Sequence, residues 1–430
     1  MDWLFILLGC IAGYVLLLAY IRTYKPYPRF ITLYGPIIGI KTDSVGFFDK
    51  FRRYSWFLRI YGTIGVLMVI VVSVAMVLML LLSVNLTLEM KPEPTAIHKP
   101  QNIFLIPGIN EFVPSTFAVW FAFFFTLIIH EFGHAILCRV EKIKVKSMGI
   151  LMLFIPIGAF VEPDEDDVKK AESWPRARMY GAGIINNMIV GIVSFALMIS
   201  LIGLAVPTEE PVVVGLYQNY SAYDAGIPTP HIIRSVNGES VYSTAEVSNF
   251  LNLTRPGDQV LLGIEYQGSL EEHTLNLSHW PEQLGIRESG FMGVYYYNGA
   301  GVIESVQTLF SPIGILYLLM VPFNPTMEGQ SLRILGFDLP DTSYYTAPFP
   351  GFWELIHLLF WSGFINLAAG LFNALPMIPL DGGFIFREGT DRMLSKRGLS
   401  KYTDHIVGFV SSGMIVLMVA IFALPYLFHL

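Results

Sequence analysis

His130-Glu131-Phe132-Gly133-His134 closes the uncharged, apolar run Phe112–Ile129, and the reading of this stretch decides the fold. On a helix, residues four apart share a face, so the two imidazoles can ligate one metal ion. Glu131 lies beside them, placed to take a proton from a metal-activated water. Composition alone yields an H-E-x-x-H about once in a hundred chains of this length, so the motif on its own is suggestive. Its setting adds weight, because two histidines and a glutamate inside an apolar helix are costly to bury without a task.

The chain around the motif belongs in a bilayer. Of 430 residues, 53% are hydrophobic and only 14% charged, which excludes an ordinary soluble enzyme. Uncharged stretches able to cross ~30 Å of hydrocarbon are Trp3–Ile21, Ile60–Leu88, Phe112–Cys138 (interrupted by the motif), Met179–Thr208, Leu355–Leu380 and Ile406–Leu430. The expectation is a polytopic α-helical membrane protein with about six transmembrane helices. The first stretch lacks a basic n-region and a small-residue cleavage site, so it reads as a retained anchor. Ser305–Met327 is punctuated by Pro312, Pro322 and Pro325 and reads as interfacial or re-entrant rather than spanning.

Charge orients the chain. Residues 22–59 hold eight Lys/Arg, 139–178 hold eight and 381–405 hold five, together 21 of 27. The positive-inside rule makes these alternate loops cytoplasmic and puts the N-terminus outside. Residues 209–354 hold four basic and sixteen acidic side chains and read as external. Within them, β-branched runs at Val212–Leu216, Ile232–Val236, Val260–Tyr266 and Thr274–Leu277 are separated by turns at Asn237-Gly238, Pro256-Gly257 and Gln267-Gly268. Thr244–Leu253 has helical patterning, so a small β-rich domain is expected.

Catalytic zinc takes three protein ligands and keeps one position for water. The best third ligand is Asp381, in Asn373-Ala374-Leu375-Pro376-Met377-Ile378-Pro379-Leu380-Asp381-Gly382-Gly383, on the same expected side of the membrane as His134. Pro376 and Pro379 cannot sustain a regular helix, which frees backbone groups to face a polar cavity. Gly382 and Gly383 permit either close packing or an unusual turn. Cys138, four residues after His134, is an alternative ligand, although a small buried thiol is its commoner role. The only other cysteine is Cys10, so a disulfide framework is excluded. No nucleic-acid or nucleotide-binding signature is present.

HEFGH in one membrane helix, followed much later by N-x-x-P-x-x-P-L-D-G-G, resembles the site-2 protease family of intramembrane zinc metalloproteases. The resemblance implies one catalytic Zn²⁺ on His130, His134 and Asp381, with Glu131 as general base. It implies peptide-bond hydrolysis within or near the transmembrane segments of single-span, membrane-tethered proteins. Ile155-Pro156-Ile157-Gly158-Ala159-Phe160-Val161 resembles the family's membrane-associated β-loop, which is thought to align a substrate strand and puts Gly158 among the substrate-binding candidates. Ala182-Gly183-Ile184-Ile185-Asn186-Asn187 is similar to the family element A-G-P-x-x-N, with Ile184 in place of Pro and Asn187 at the Asn position. Asn187 and Asn373 are thereby expected to contact substrate or the developing oxyanion. Segments 221–227 and 232–238 resemble a protease-associated PDZ domain, without a clear glycine-rich carboxylate-binding loop.

The organisation implied is therefore 1–88, two helices with a basic cytoplasmic loop; 112–208, the first half of the catalytic core; and 209–304, an external PDZ-like domain. Residues 305–354 form the interfacial segment and 355–430 the second half of the core with the last helix. The active site is expected towards the cytoplasmic side of a cell membrane. The competing readings are a catalytically silent homologue serving as a membrane scaffold, and a metal transporter.

Overall fold

The computed structural model describes residues 3–26, 29–324, 326, 329, 332–333 and 344–430. The chain divides into two compact units, Met1–Phe195 with Leu358–Leu430, and Ala196–His357.

The first unit is built from helices α1 (Trp3–Tyr24), α2 (Ser55–Met90), α3 (Phe117–Val140), the short α4 (Glu165–Lys170) and α5 (Ser173–Ile202), which runs on into the second unit. Helices α10 (Phe352–Asn373), α11 (Asp381–Ser395) and α12 (Thr403–Phe428) complete it, α10 entering from the second unit. Among the described residues, five helices are long and apolar enough to cross a membrane: α2, α3, α5, α10 and α12. In α1 the apolar stretch is the shorter Leu8–Tyr24, so five such helices stand where about six are expected. The expected boundaries shift where the backbone decides them. Residues 112–116 lie outside α3, which starts behind the Thr116 cap, and α10 stops at Asn373, so 374–380 are not helical.

Lipid-exposed apolar side chains do not drive helices together, because lipid tails are equally apolar; close contact through small residues does. Helix α5 shows this on two sides. A Cβ at Gly133 of α3 would come within 2.5 Å of the Ala182 carbonyl, and one at Gly191 within 2.5 Å of Leu367 in α10. Phe195, Phe360, Trp361 and Phe364 fill the α5–α10 seam and are fully buried. By contrast α2 and α12 keep Val71, Val74, Leu78, Phe409, Val416 and Val419 exposed, as lipid-facing helices do.

The expected β-loop is one strand of a larger sheet. Strands β1 (Ile31–Tyr34), β2 (Ile37–Thr42), β3 (Val145–Leu153) and β4 (Ile155–Pro163) form an antiparallel sheet in the order β1-β2-β3-β4. Ile40 pairs with Ile150, and Ile150 with Ala159. Phe154 forms the turn between β3 and β4 at φ +59°, and its ring stacks on Tyr14 of α1 at 4.2 Å. The Tyr14 hydroxyl is 2.7 Å from the Pro36 carbonyl and 3.2 Å from that of Met152, tying α1 to both hairpins. The acidic stretch after β4 starts a helix. Asp164 caps α4 by accepting from the Asp166 and Asp167 N–H groups, and these bonds hold its carboxyl below the usual range.

In the second unit, β6 (Val212–Leu216), β7 (His231–Val236), β9 (Gln259–Tyr266), β10 (Ser269–Asn276) and β11 (Val294–Tyr296) form a sheet in the order β10-β9-β7-β6-β11. The two-residue β8 (Glu239–Ser240) pairs with β7, and β5 (Val206–Pro207) pairs separately with β12 (Tyr345–Thr346). Val213, Ile233, Leu262, Ile264 and Leu275 are the core, with α6 (Ser221–Asp224) and α7 (Thr244–Asn252) beside the sheet. Strands β6, β7 and β9 and helix α7 thus stand where patterning places them, with β11 as an unforeseen edge strand.

Ser305–Met327 contains the end of α8 (Gly299–Thr308), then α9 (Pro312–Leu318) and a 3-10 turn at Val321–Phe323. At 1.5 Å per residue, helices of ten and seven residues reach about half of ~30 Å or less. Pro312 opens α9 behind the Ser311 cap, the one helical place a proline fits easily. Pro325, Met327 and most of 328–343 lie outside the described residues.

Candidate metal centre

The motif occupies the second half of α3, where His130 and His134 are one turn apart with ring centroids at 4.8 Å. Asp381 arrives from the far end of the chain. The prolines end α10, residues 374–380 turn, and Asp381 is the first residue of α11, where a carboxylate suits the helix dipole. Gly382 and Gly383 are there for close packing rather than for an unusual turn. A Cβ at Gly382 would lie 2.3 Å from the Ala374 carbonyl, and one at Gly383 2.4 Å from the Met377 backbone.

Three atoms converge. His130 Nε2 and His134 Nε2 are 3.1 Å apart, and Asp381 Oδ2 is 3.0 Å from the first and 3.3 Å from the second. Ligands ~2.0–2.1 Å from a tetrahedral zinc stand ~3.3 Å from one another, so this triangle has the edges a zinc site requires. Asp381 Oδ2 is buried and no donor satisfies it in hydrogen-bond geometry, a costly arrangement that a cation would relieve. Among the described residues this is the sole group of three His, Cys, Asp or Glu so placed. Cys138 lines the same cavity but is not part of the triangle.

Glu131 faces a cavity of about 330 Å³ whose walls include His130, His134 and Asp381, Phe160, Val161 and Pro163 of β4, Tyr180 of α5, and Asn373. The Val161 N–H faces the Glu131 carboxylate, bringing the sheet up to that side chain. Asn373 also donates to the Ala369 carbonyl at 3.1 Å. Gly158 lies on β4 opposite Leu151 and is not among the residues lining this cavity. Asn187 differs from its expected place. It is 1% exposed, its carboxamide meets His130 Nδ1 at 3.2 Å, and it sits behind His130 rather than among the residues lining the cavity.

Several parts of the site carry no sequence signal or a faint one. His134 Nδ1 is 2.8 Å from the Met179 carbonyl, a backbone acceptor that no residue identity announces. Gly183 packs so tightly on the ligands that a Cβ there would lie 2.7 Å from both Nε2 atoms. Asn186 donates to the Ile129 carbonyl at 2.9 Å and accepts from Tyr61 of α2 at 2.5 Å, fixing α5 against the start of the motif. Helical spacing could have grouped Gly183 with Asn187, four residues on and on the same face of α5. Ile184 stands where the resemblance has proline, and α5 runs through it unbroken.

A part-buried ion pair holds α11 to α5. Arg176 grips Glu388 at 2.8 and 2.6 Å, and Ser173 donates to the same carboxylate at 2.7 Å. Glu388 lies two turns after Asp381 on the same face of α11, so this bidentate contact steadies the helix that presents Asp381.

An H-E-x-x-H pair met by a distant aspartate, with a glutamate beside it in an apolar helix, is the set of groups that a zinc-dependent hydrolase embedded in a bilayer needs. The model of peptidase family M50 matches residues 118–419, and the chain belongs to that family. A protein of Clostridium acetobutylicum named as a zinc metalloprotease is 26% identical over 334 residues, covering 69% of this chain and 92% of the relative. An uncharacterised protein of Methanocaldococcus jannaschii is 24% identical over 377 residues, covering 85% of this chain and 83% of its own length. The regulator of sigma-W protease RasP of Bacillus subtilis is 24% identical over 261 residues, 58% of each chain. The protein is thus an integral membrane zinc metalloprotease of the site-2 type, and zinc is its cofactor.

Proposed function

We propose that this protease cleaves single-span membrane proteins within or beside their transmembrane helices, from the cytoplasmic side. The observation that carries the reading is the ligand triangle with Glu131 in one cavity walled by β4. Zinc, when bound by His130, His134 and Asp381, acidifies a water ligand towards a pKa of ~7 and polarises a carbonyl. Glu131 takes the proton from the attacking water and hands it to the leaving amide nitrogen. Strand β4 is an end strand of its sheet, so an extended substrate can add to its outer edge. Gly158 leaves one position on that strand without a side chain, and Asn373 on the cavity wall holds the substrate backbone. The β-rich domain, read as PDZ-like, filters access rather than performing chemistry.

A substrate helix has to open before attack, because its carbonyls are bonded within the helix. Proline in a helix interior costs ~3 kcal/mol, which is up to ~100-fold in local opening. With the purified zinc-loaded protein in vesicles, a single-span reporter is expected to be cut. A Pro placed beside the scissile bond should raise the rate at least ~10-fold. A protein that cuts soluble extended peptides but no single-span reporter would defeat this reading.

The orientation, with α1 as a sixth crossing, rests on the distribution of Lys and Arg. In a Cys10→Ser background, cysteines replacing the exposed Ser44 and Ser395 should react with impermeant thiol reagents only from the cytoplasmic face. One replacing the exposed Ser248 should react only from outside. The opposite labelling would invert the topology.

A further inference from the structure

The two histidines of the triangle are held from behind in different ways. His134 Nδ1 faces the Met179 carbonyl at 2.8 Å. A carbonyl can only accept, so Nδ1 carries the proton there and Nε2 keeps a bare lone pair for the metal. His130 Nδ1 faces instead the carboxamide of Asn187 at 3.2 Å. A carboxamide offers both a donor and an acceptor in nearly the same shape. With its NH₂ against the ring, Asn187 Oδ1 is buried with no hydrogen-bond partner, which is costly. Turned by half a rotation, the same side chain places Oδ1 on the Nδ1–H of His130. That satisfies the oxygen and leaves His130 Nε2 free towards His134 and Asp381.

We infer that Asn187 is the positioning residue for His130. Its carboxamide oxygen sets which ring nitrogen carries the proton and holds the ring plane, so that it acts on zinc through His130 and never touches substrate. Three further observations fit. Asn187 is 1% exposed and absent from the cavity wall, which sets it apart from the residues that face a substrate in that cavity. It stands one turn beyond Gly183, whose backbone lies against the inner side of both imidazoles, so one face of α5 supplies both the close approach and the acceptor. Asn186 anchors that turn to the Ile129 carbonyl, which fixes the rotation of α5 against α3. The inference rests on the reading of the triangle as a zinc site.

The test is the zinc dissociation constant of the purified full-length protein by chelator competition, with the thermal midpoint of the zinc-free protein measured alongside. Asn187→Leu fills the same space without an acceptor, and Asn187→Asp fills it with one. Leu is expected to weaken zinc binding ~10–100-fold, the effect typical of losing a partner behind a metal-ligating histidine. Asp is expected to stay within a few-fold of the wild type. Both should show the KM of the wild type at saturating zinc. A Leu variant that binds zinc as tightly as the wild type overturns the inference, and so does an Asp variant as weak as Leu at an unchanged midpoint. A wild-type protein that binds no zinc overturns the site itself, and the inference with it.

Discussion

Glu131→Gln is expected to abolish peptide-bond cleavage while the purified protein keeps its full complement of zinc. The substitution preserves size and hydrogen bonding but removes the group that takes the proton, and a positioned base contributes typically ~10²–10⁴-fold. Glutamine retains a side-chain oxygen for the Val161 N–H, so the sheet contact is expected to survive the change. His130→Ala, His134→Ala and Asp381→Ala each delete one corner of a triangle with edges of 3.0–3.3 Å, so zinc content should fall together with activity. Metal analysis of each variant, run beside cleavage of a single-span reporter, separates the two roles. Asp381→Ala with full zinc and full activity would move the third ligand elsewhere, with Cys138 on the same cavity wall as the next candidate. Normal cleavage by Glu131→Gln would refute the mechanism.

Gly183→Ala should be nearly as damaging, although it removes no functional group. The added Cβ would lie 2.7 Å from His130 Nε2 and Cε1 and from His134 Nε2, well inside any real contact distance. Neither side can easily yield. His134 is tethered through Nδ1 to Met179, and α5 is already pressed against α3 where Ala182 meets Gly133. Overpacking of this kind costs ~1–3 kcal/mol where the surroundings can shift. Here the shift must displace the metal ligands, so zinc affinity and activity are both expected to fall by at least ~100-fold, since ~2.8 kcal/mol is a hundredfold. Gly389→Ala is the control, because a Cβ at that position in α11 meets nothing within 4 Å. It should leave zinc binding unchanged. Equal zinc affinity in Gly183→Ala and the wild type would show that α5 and α3 are not packed as described.

What the sequence determined by itself is local, or is carried by unusual chemistry. Long uncharged runs require helices in hydrocarbon, because only a helix satisfies its own backbone there. Two histidines one turn apart share a face whatever surrounds them, and the Pro-rich run before Asp381 had to end a helix, which it does at Asn373. In the β-rich domain, turn residues and alternation place β6, β7, β9 and α7 within a residue or two. What only the tertiary structure decided depends on groups without a side-chain signature or on partners far apart in the chain. Strands β1, β2 and β3 carry little alternation of their own, and the pairing of β2 with β3 joins residues more than a hundred positions apart. The Met179 carbonyl that orients His134 is backbone, and any residue could supply it. Asn187 illustrates the limit most plainly. Its residue type announces hydrogen bonding, but whether that bond goes to a substrate or to the back of His130 is set by the rotation of α5 against α3. That rotation is fixed by Gly133, Gly183 and Asn186, where the two helices come close enough to touch backbone.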